Sequence, residues 1–310
     1  MSPPNESASP ELSVVVVSYG TRAMTLAALA SVERETCETT CELIVVDNAS
    51  TDDSAAAIAV QFPQARLLTQ VQNLGFGTAC NLAAGGARGE FILLLNPDTL
   101  VKDRAIDRLM KFARERPHAG IWGGRTLFPD GRLNPTSCWR RQSLWNLFCS
   151  ASGLTSLFPN SALFHSAAYG GWARDSVREV DIVSGCFLLI SRELWCRLGG
   201  FSTKFFVYGE DADLCLRAKQ MGYRPAITPD ATIVHYGSGT DEDRTRKISQ
   251  VFTSRVLLIR RHIEPWKQPL AMALLMMIPL IGLLTGRAAS RDTWRNVWRQ
   301  RHVWAAGRYG

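Results

Sequence analysis

Continuous apolar runs spaced by amphipathic stretches constrain this chain more than any other feature. Leu12–Ser18 (LSVVVVS) and Phe91–Leu95 (FILLL) do not alternate with polar residues, nor does the run at 43–47 (LIVVD). Runs of that kind read as strands covered on both faces, the pattern of a parallel sheet. Residues 65–69 read as a further strand. Helical patterns fill the gaps at about 22–34, 54–62, 77–88 and 102–116, the last with Ile106, Leu109, Met110 and Ala113 on one face. Ser50, Thr51, Asp52 and Asp53 are capping residues for the second of these. Strand, helix, strand, helix predicts an α/β fold built from βαβ units.

The regularity ends near residue 128. Residues 128–132 (FPDGR) signal a hairpin turn. Residues 134–178 have no period and are rich in Trp, Phe, Ser and Gly, and long irregular segments of this kind tend to carry function. A strand at 180–190 and helices at 192–198, 211–221 and 244–262 follow.

In open α/β sheets ligands bind beyond the carboxyl ends of the strands. Ser18-Tyr19-Gly20, Asp47-Asn48-Ala49-Ser50, the 73–77 segment (NLGFG) and Asn96-Pro97-Asp98 occupy those positions. The chain has neither G-x-G-x-x-G after its first strand nor G-x-x-x-x-G-K-[ST], which disfavours dinucleotide binding and P-loop chemistry. Without a glycine-rich phosphate loop, a diphosphate needs a carboxylate-held divalent cation, and Asp98 is the ligand to expect. The same position also suits an N-cap for a helix after Thr99. A second acidic group, Glu210, Asp211 and Asp213, follows Tyr208-Gly209. Asp213 suits an i, i+4 pair with Arg217. The adjacent Glu210–Asp211 pair suits a general base, because close carboxylates keep one another basic. His235 ends a strand-like run and is a candidate further metal ligand.

These residues resemble the family-2 inverting glycosyltransferases of GT-A fold, over about 12–235, and most nearly their rhamnosyltransferase-like members. The resemblance rests on D-N-A-S-T-D at 47–52, N-L-G-F at 73–76, L-N-P-D at 95–98, G-G-F at 199–201 and E-D-A-D-L at 210–214. It implies a mostly parallel nucleotide-binding sheet flanked by helices. It also implies that Ser18, Tyr19, Asp47, Ser50, Asn73, Gly75, Phe76, Asn81 and Asn96 bind the nucleotide sugar, with Asp47 accepting from the base. Asp98 and His235 would hold Mg2+ or Mn2+, and Asp211, beside Glu210, would be the catalytic base. The generic family motif is Asp-x-Asp; here Asn96 takes the first place and offers only a neutral oxygen. The expected activity is metal-dependent transfer of a sugar, best L-rhamnose from dTDP-rhamnose, to a hydroxyl of a lipid-linked or cell-surface saccharide. The alternatives are other donors (galactofuranose, glucose, N-acetylglucosamine), a nucleotidyltransferase, or a non-catalytic saccharide- or nucleic-acid-binding protein.

Composition narrows the setting. With 46% hydrophobic and 20% charged residues over 310 positions, a disordered scaffold, a collagen and a coiled coil are excluded. The eight cysteines include no C-x-x-C pair and read as buried free thiols of a reducing compartment. The first residues lack the pattern of a signal peptide, so a cytoplasmic location is expected. The formal charge is +7, and residues 287–310 carry six Arg against one Asp. Residues 270–284 are free of charge but shorter than the roughly 20 residues of a membrane span, and Pro279 and Gly282 interrupt them. Arg287, Arg291, Arg295 and Arg299 follow at a four-residue spacing with Trp294 and Trp298, the composition of a membrane interface. The expectation is a disordered lead (1–11), a catalytic domain (12–240, with a nucleotide-sugar half at 12–130 and an acceptor half at 131–240) and a helical C-terminal region (241–310). That region lies on the cytoplasmic face of an anionic inner membrane, with no nucleic acid as partner. Removal of everything after about Arg261 should leave a more soluble protein.

Overall fold

The computed structural model of the chain describes residues 9–237, 244–285 and 288–309. Most of the lead, the 240/241 boundary and Arg287 lie outside the described residues. The strands are β1 (Leu12–Ser18), β2 (Cys41–Asp47), β3 (Arg66–Thr69), β4 (Phe91–Leu95), β5 (Thr99–Val101), β6 (Ile121–Leu127), β7 (Cys138–Trp139), β8 (Arg178–Glu179), β9 (Ile182–Val183), β10 (Phe187–Ser191) and β11 (Ala226–His235). The helices are α1 (Arg22–Glu35), α2 (Ser54–Gln61), α3 (Phe76–Ala84), α4 (Ala105–Glu115), α5 (Leu144–Ala151), α6 (Leu154–Leu157), α7 (Arg192–Leu198), α8 (Glu210–Gln220), α9 (Arg244–His262), α10 (Gln268–Thr285), α11 (Ala288–Arg299) and α12 (Arg301–Trp304).

Among the described residues a nine-stranded sheet runs β3-β2-β1-β4-β10-β6-β11-β5, with β8 also on β11. β1 pairs in parallel with both β2 and β4, so the strand order reverses there and opens a crevice at their carboxyl ends. Every residue of β1 and β4 is buried, which explains their unbroken apolar sequences. The sheet is mixed, because β10 enters antiparallel between β4 and β6, and β5 lies antiparallel on β11. Separate apolar clusters cover the two faces of the sheet, one including Leu29, Ile58 and Leu109, the other Ala79, Trp195 and Leu214.

Several local expectations change. Thr99 starts a short strand and not a helix, so Asp98 caps nothing. At α2 the N-cap Asp53 makes no capping bond; Asp52 instead accepts from Ser54 N at 3.2 Å and from Arg22 N, at the start of α1, at 2.9 Å. The 180–190 run is broken into β9 and β10. Cys37, Cys41 and Cys196 are exposed, whereas the other five cysteines are buried. The turn at 128–132 forms as read, closed by Phe128 N donating to Arg132 O at 2.8 Å.

The C-terminal helices pack on α9 through a third cluster holding Leu147, Phe252, Val256, Leu275 and Trp304. Neither Pro279 nor Gly282 interrupts α10, and Gly282 is where Trp294 lies against it: a Cβ there would sit 2.6 Å from the indole ring. Arg291, Arg295 and Arg299 are exposed on α11. The tail then returns to the body of the protein, Tyr309 Oη meeting Ser254 Oγ at 3.0 Å. Cutting after Arg261 would therefore uncover Phe252, Val256 and Ile259, so the expected gain in solubility is corrected to a loss of core.

Candidate active site

The edge of the sheet at β1 and β2 is assembled by short polar bonds. Ser18 is fully buried and its hydroxyl faces Thr25 Oγ1 at 2.9 Å, so it fastens β1 to α1 and does not face the crevice. Tyr19, 57% exposed, stands at the mouth. Ser50 Oγ accepts from Gly20 N at 3.0 Å and ties the two loops together. Asp47 is buried; one carboxylate oxygen accepts from Ser50 N at 3.3 Å, while Oδ1 has no hydrogen-bond partner. A buried carboxylate oxygen left open is costly, and it marks the place where a ligand N–H would be satisfied.

Asn48 is a residue the sequence reading named without a role. Its Nδ2 donates to Asn73 Oδ1 at 2.9 Å and its Oδ1 accepts from Leu74 N at 2.9 Å, joining the loop after β2 to residues 73–77. That second loop packs against residues 201–211. Gly75 has φ +77°, and a Cβ there would run into the Phe206 carbonyl oxygen, so glycine is required. Phe76 N donates to Phe206 O at 2.9 Å, and the Phe76 ring lies 6.1 Å from that of Phe201. Asn81 is committed elsewhere: its amide donates to Phe201 O at 2.9 Å and accepts from Phe201 N at 2.8 Å, clamping the turn after α7.

Beyond β4, Asn96 N donates to Cys186 O at 3.1 Å, and Asp98 Oδ1 lies 3.3 Å from His235 Nε2 at the end of β11. The histidine is oriented from behind. Asn134 Nδ2 donates to His235 O at 3.0 Å, which fixes Asn134 Oδ1 as acceptor for Thr136 Oγ1 at 2.7 Å. The Thr136 oxygen thus offers its lone pairs to His235 Nδ1 at 3.2 Å. With Nδ1–H donating to that oxygen, the Nε2 lone pair would be free for a cation shared with Asp98. One carboxylate oxygen and one imidazole nitrogen at that separation fit adjacent positions of an octahedral cation, whose ligands at about 2.1 Å stand about 3 Å apart. Among the described residues no group of three His, Cys, Asp or Glu side chains gathers here, so the other positions would fall to a ligand's oxygens and water.

The second acidic group reaches the turn that precedes β10. Tyr208 (φ +63°) and Gly209 (φ +85°) are both left-handed and turn the chain sharply into α8. Asp211 accepts from Gly185 N at 3.0 Å and from Ala212 N at 2.7 Å. Burial raises the pKa of both Glu210 and Asp211, and the Asp211 charge raises Glu210 further. The backbone N–H bonds oppose the effect at Asp211, so of the two it ionises first and Glu210 holds its proton. Glu210 Oε2 is buried without a partner. Burial, followed by the Asp98 and Asp211 carboxylates, pushes the Cys186 thiol up to about 12, which places both acids within electrostatic reach of one residue. Asp213 is apart from this chemistry. It is fully buried and bound at 2.8 Å by each of Arg217, Arg261 and His262, and despite its burial the His262 bond and the two guanidinium groups hold it down to about 2. It joins α8 to α9.

Comparison with known proteins bears on the family and the fold. The model of glycosyl transferase family 2 matches residues 13–180. An N-acetylglucosaminyl-diphospho-decaprenol L-rhamnosyltransferase of Mycobacterium tuberculosis is 29% identical over 92% of this chain and 95% of its own length. Rhamnosyltransferase WbbL of Escherichia coli is 28% identical over 52% of this chain and 61% of its own. Among solved structures, a mannosyltransferase of Pyrobaculum calidifontis in complex with GDP-Man and Mn2+ superposes with a TM-score of 0.57 at 20% identity, covering 98% of this chain and 87% of that one. At that identity the likeness concerns the fold.

Proposed function

The chain belongs to glycosyl transferase family 2, and from that premise we propose that it moves L-rhamnose from dTDP-rhamnose onto a hydroxyl of a lipid-linked saccharide, with inversion. The observation that carries the reading is that both acidic groups are tied to Gly185–Cys186 beside the carboxyl end of β4: Asp211 accepts from Gly185 N at 3.0 Å, and Cys186 O accepts from Asn96 N at 3.1 Å, two residues before the Asp98 that faces His235. The rhamnosyltransferase that aligns along nearly the whole chain supports the choice of sugar and of a prenyl-diphosphate-linked acceptor.

In this reading Asp47 Oδ1 accepts the ring N–H of the thymine, beside Tyr19. Asp98 and His235 would hold Mg2+ or Mn2+, which would supply positive charge against the departing diphosphate. Asp211, its carboxylate aimed by the Gly185 and Ala212 amides, takes the proton of the acceptor hydroxyl. That oxygen forms the new bond to the anomeric carbon as the bond from the carbon to the diphosphate breaks, its electron pair leaving with the nucleotide. Positioned proton transfer is worth about 10²–10⁴-fold in rate.

The reading includes membrane association at the cytoplasmic face. Residues 265–284 form a helical stretch of 20 residues with mean hydropathy 1.7, only 17% of it buried. That is longer than the charge-free run alone and matches the length of a span. Its packing on α5, α9 and α11 supports a peripheral seat with one face to protein. Leu270, Met277, Leu280 and Leu284 are exposed on it, as are Trp145, Phe148, Leu157 and Phe158 on neighbouring α5 and α6 and just beyond them. Sedimentation of the full-length chain with anionic vesicles tests this, and protein left in the supernatant at low salt would refute it.

The donor is tested by a panel of nucleotide sugars with Mn2+ or Mg2+ present. dTDP-rhamnose is expected to raise the melting temperature most. A larger rise with a galactofuranose, glucose or N-acetylglucosamine donor would replace rhamnose in the assignment.

A further inference from the structure

Between α8 and α9 lies a cavity of about 480 Å³ that the transfer chemistry above does not use. Arg141, Gln142, Asp181, Lys219, Leu258 and His262 line it. Its charge is unbalanced. Lys219 is paired with Asp181, whose other oxygen accepts from the Arg141 backbone N at 3.0 Å, while among the described residues the Arg141 guanidinium makes no ion pair. Arg255, about one turn before Leu258 on α9, stands just behind the lining: it is only partly exposed, and its guanidinium donates to Oε1 of the lining residue Gln142 at 3.4 Å. Burial without a countercharge brings its pKa down to about 10. The nearby acids are already engaged: Asp213 by two guanidinium groups and His262, and Glu264 by Lys267 at 3.2 Å.

His262 adds an independent observation. Its Nε2 is bound to Asp213 at 2.8 Å, and its Nδ1 is buried with no partner. Position adds another. Leu216, also in the cavity wall, follows Asp211 by five residues, about 7.5 Å along α8. At the other end His262 leads into the apolar stretch, where Trp266 is 77% and Leu270 54% exposed. The cavity thus lies against α8, the helix that begins with the candidate base, and beside the apolar stretch that follows α9.

We propose that this cavity binds the diphosphate of a prenyl-diphosphate-linked acceptor, Arg141 and Arg255 supplying the charge and the prenyl chain leaving along α10. Two guanidinium groups suit a diphosphate, which accepts forked hydrogen bonds from each. The proposal rests on the reading of the chain as a transferase acting on a lipid-linked saccharide. It gives the acceptor a polar anchor separate from the nucleotide edge at Asp47.

Farnesyl diphosphate is the probe, used with the full-length protein. It is expected to bind, and Arg141→Gln and Arg255→Gln are each expected to weaken it at least tenfold, with Arg255→Lys recovering part of the loss. The melting-temperature rise given by a nucleoside diphosphate with Mn2+ should persist in every variant, which shows that they fold. Inorganic pyrophosphate should bind more weakly than the probe, having no chain to lay on α10. Farnesol binding as tightly as farnesyl diphosphate would overturn the proposal, as would displacement of the probe by the nucleoside diphosphate. If transfer occurs but its acceptor KM is unmoved by both arginine substitutions, the cavity assignment fails and the transferase stands. If arginine-dependent probe binding persists while no sugar is transferred, the cavity stands and the transferase reading fails.

Discussion

Thr136 lies 99 positions before His235 in the chain, yet its hydroxyl oxygen faces His235 Nδ1 at 3.2 Å while Nε2 of the same ring faces Asp98 at 3.3 Å. Groups that orient a metal-binding histidine typically affect metal affinity 10–100-fold. Thr136→Val is therefore expected to raise the Mn2+ concentration for half-maximal activity by about that factor, and Thr136→Ser to restore it. A Mn2+ titration of initial rates measures both. An unchanged midpoint in the valine variant would remove Thr136 from the account.

Glu210 makes stability depend on pH in a definite direction. Its folded pKa is raised, so the folded state keeps a proton that the unfolded chain gives up near pH 4.3. Stability then declines as pH rises above that value. Glu210→Gln removes the decline, so its melting temperature should gain on wild type by about 3 °C or more between pH 5 and pH 8. Melting curves across that range decide it, and a constant difference would show that Glu210 is ionised throughout.

How much of this was legible in the sequence follows from what each residue depends on. β1, β2 and β4 were readable because burial on both faces forces unbroken apolar runs, and Asp47 and Asp98 stand at the ends of such runs. β5 was not, since three residues after Pro97-Asp98 carry no period, and only pairing with β11 makes them a strand. The insertion of β10 between β4 and β6 is likewise a tertiary fact. Asn134, Thr136 and Gly185 were missed, and Asn48 was named without a role, because what they do depends on long-range bonds, although Asn134 before Pro135 did carry a capping signal. The family resemblance assigned Asn81 and Ser18 to the nucleotide sugar, yet their polar atoms are engaged inside the fold. The C-terminal tail looked separable because its basic stripe and its apolar run stand out; the return of Tyr309 to Ser254 left no such mark.

Asp213 carries the junction between α8 and α9. Removing one partner from a buried charge cluster costs about 3–5 kcal/mol. Asp213→Asn is thus expected to lower the melting temperature by roughly 6–12 °C at neutral pH. Because the folded pKa of Asp213 is depressed to about 2, its contribution is present above the ordinary aspartate value of about 3.9 and is lost as pH falls towards 2. The gap between variant and wild type should narrow over that interval. A gap that is the same at pH 3 and pH 7 would contradict the charge-based explanation.

The account turns on Asp211 as the group that takes the acceptor proton. The direct measurement compares wild type with Asp211→Asn, given dTDP-rhamnose, Mn2+ and an N-acetylglucosaminyl prenyl diphosphate. Nucleotide release and the rhamnosylated product are followed together by mass spectrometry. The predicted result is matched formation of both by wild type, and less than about a hundredth of that rate in the variant, with the donor-induced rise in melting temperature nearly intact. Transfer by Asp211→Asn above about a tenth of the wild-type rate would contradict the assignment.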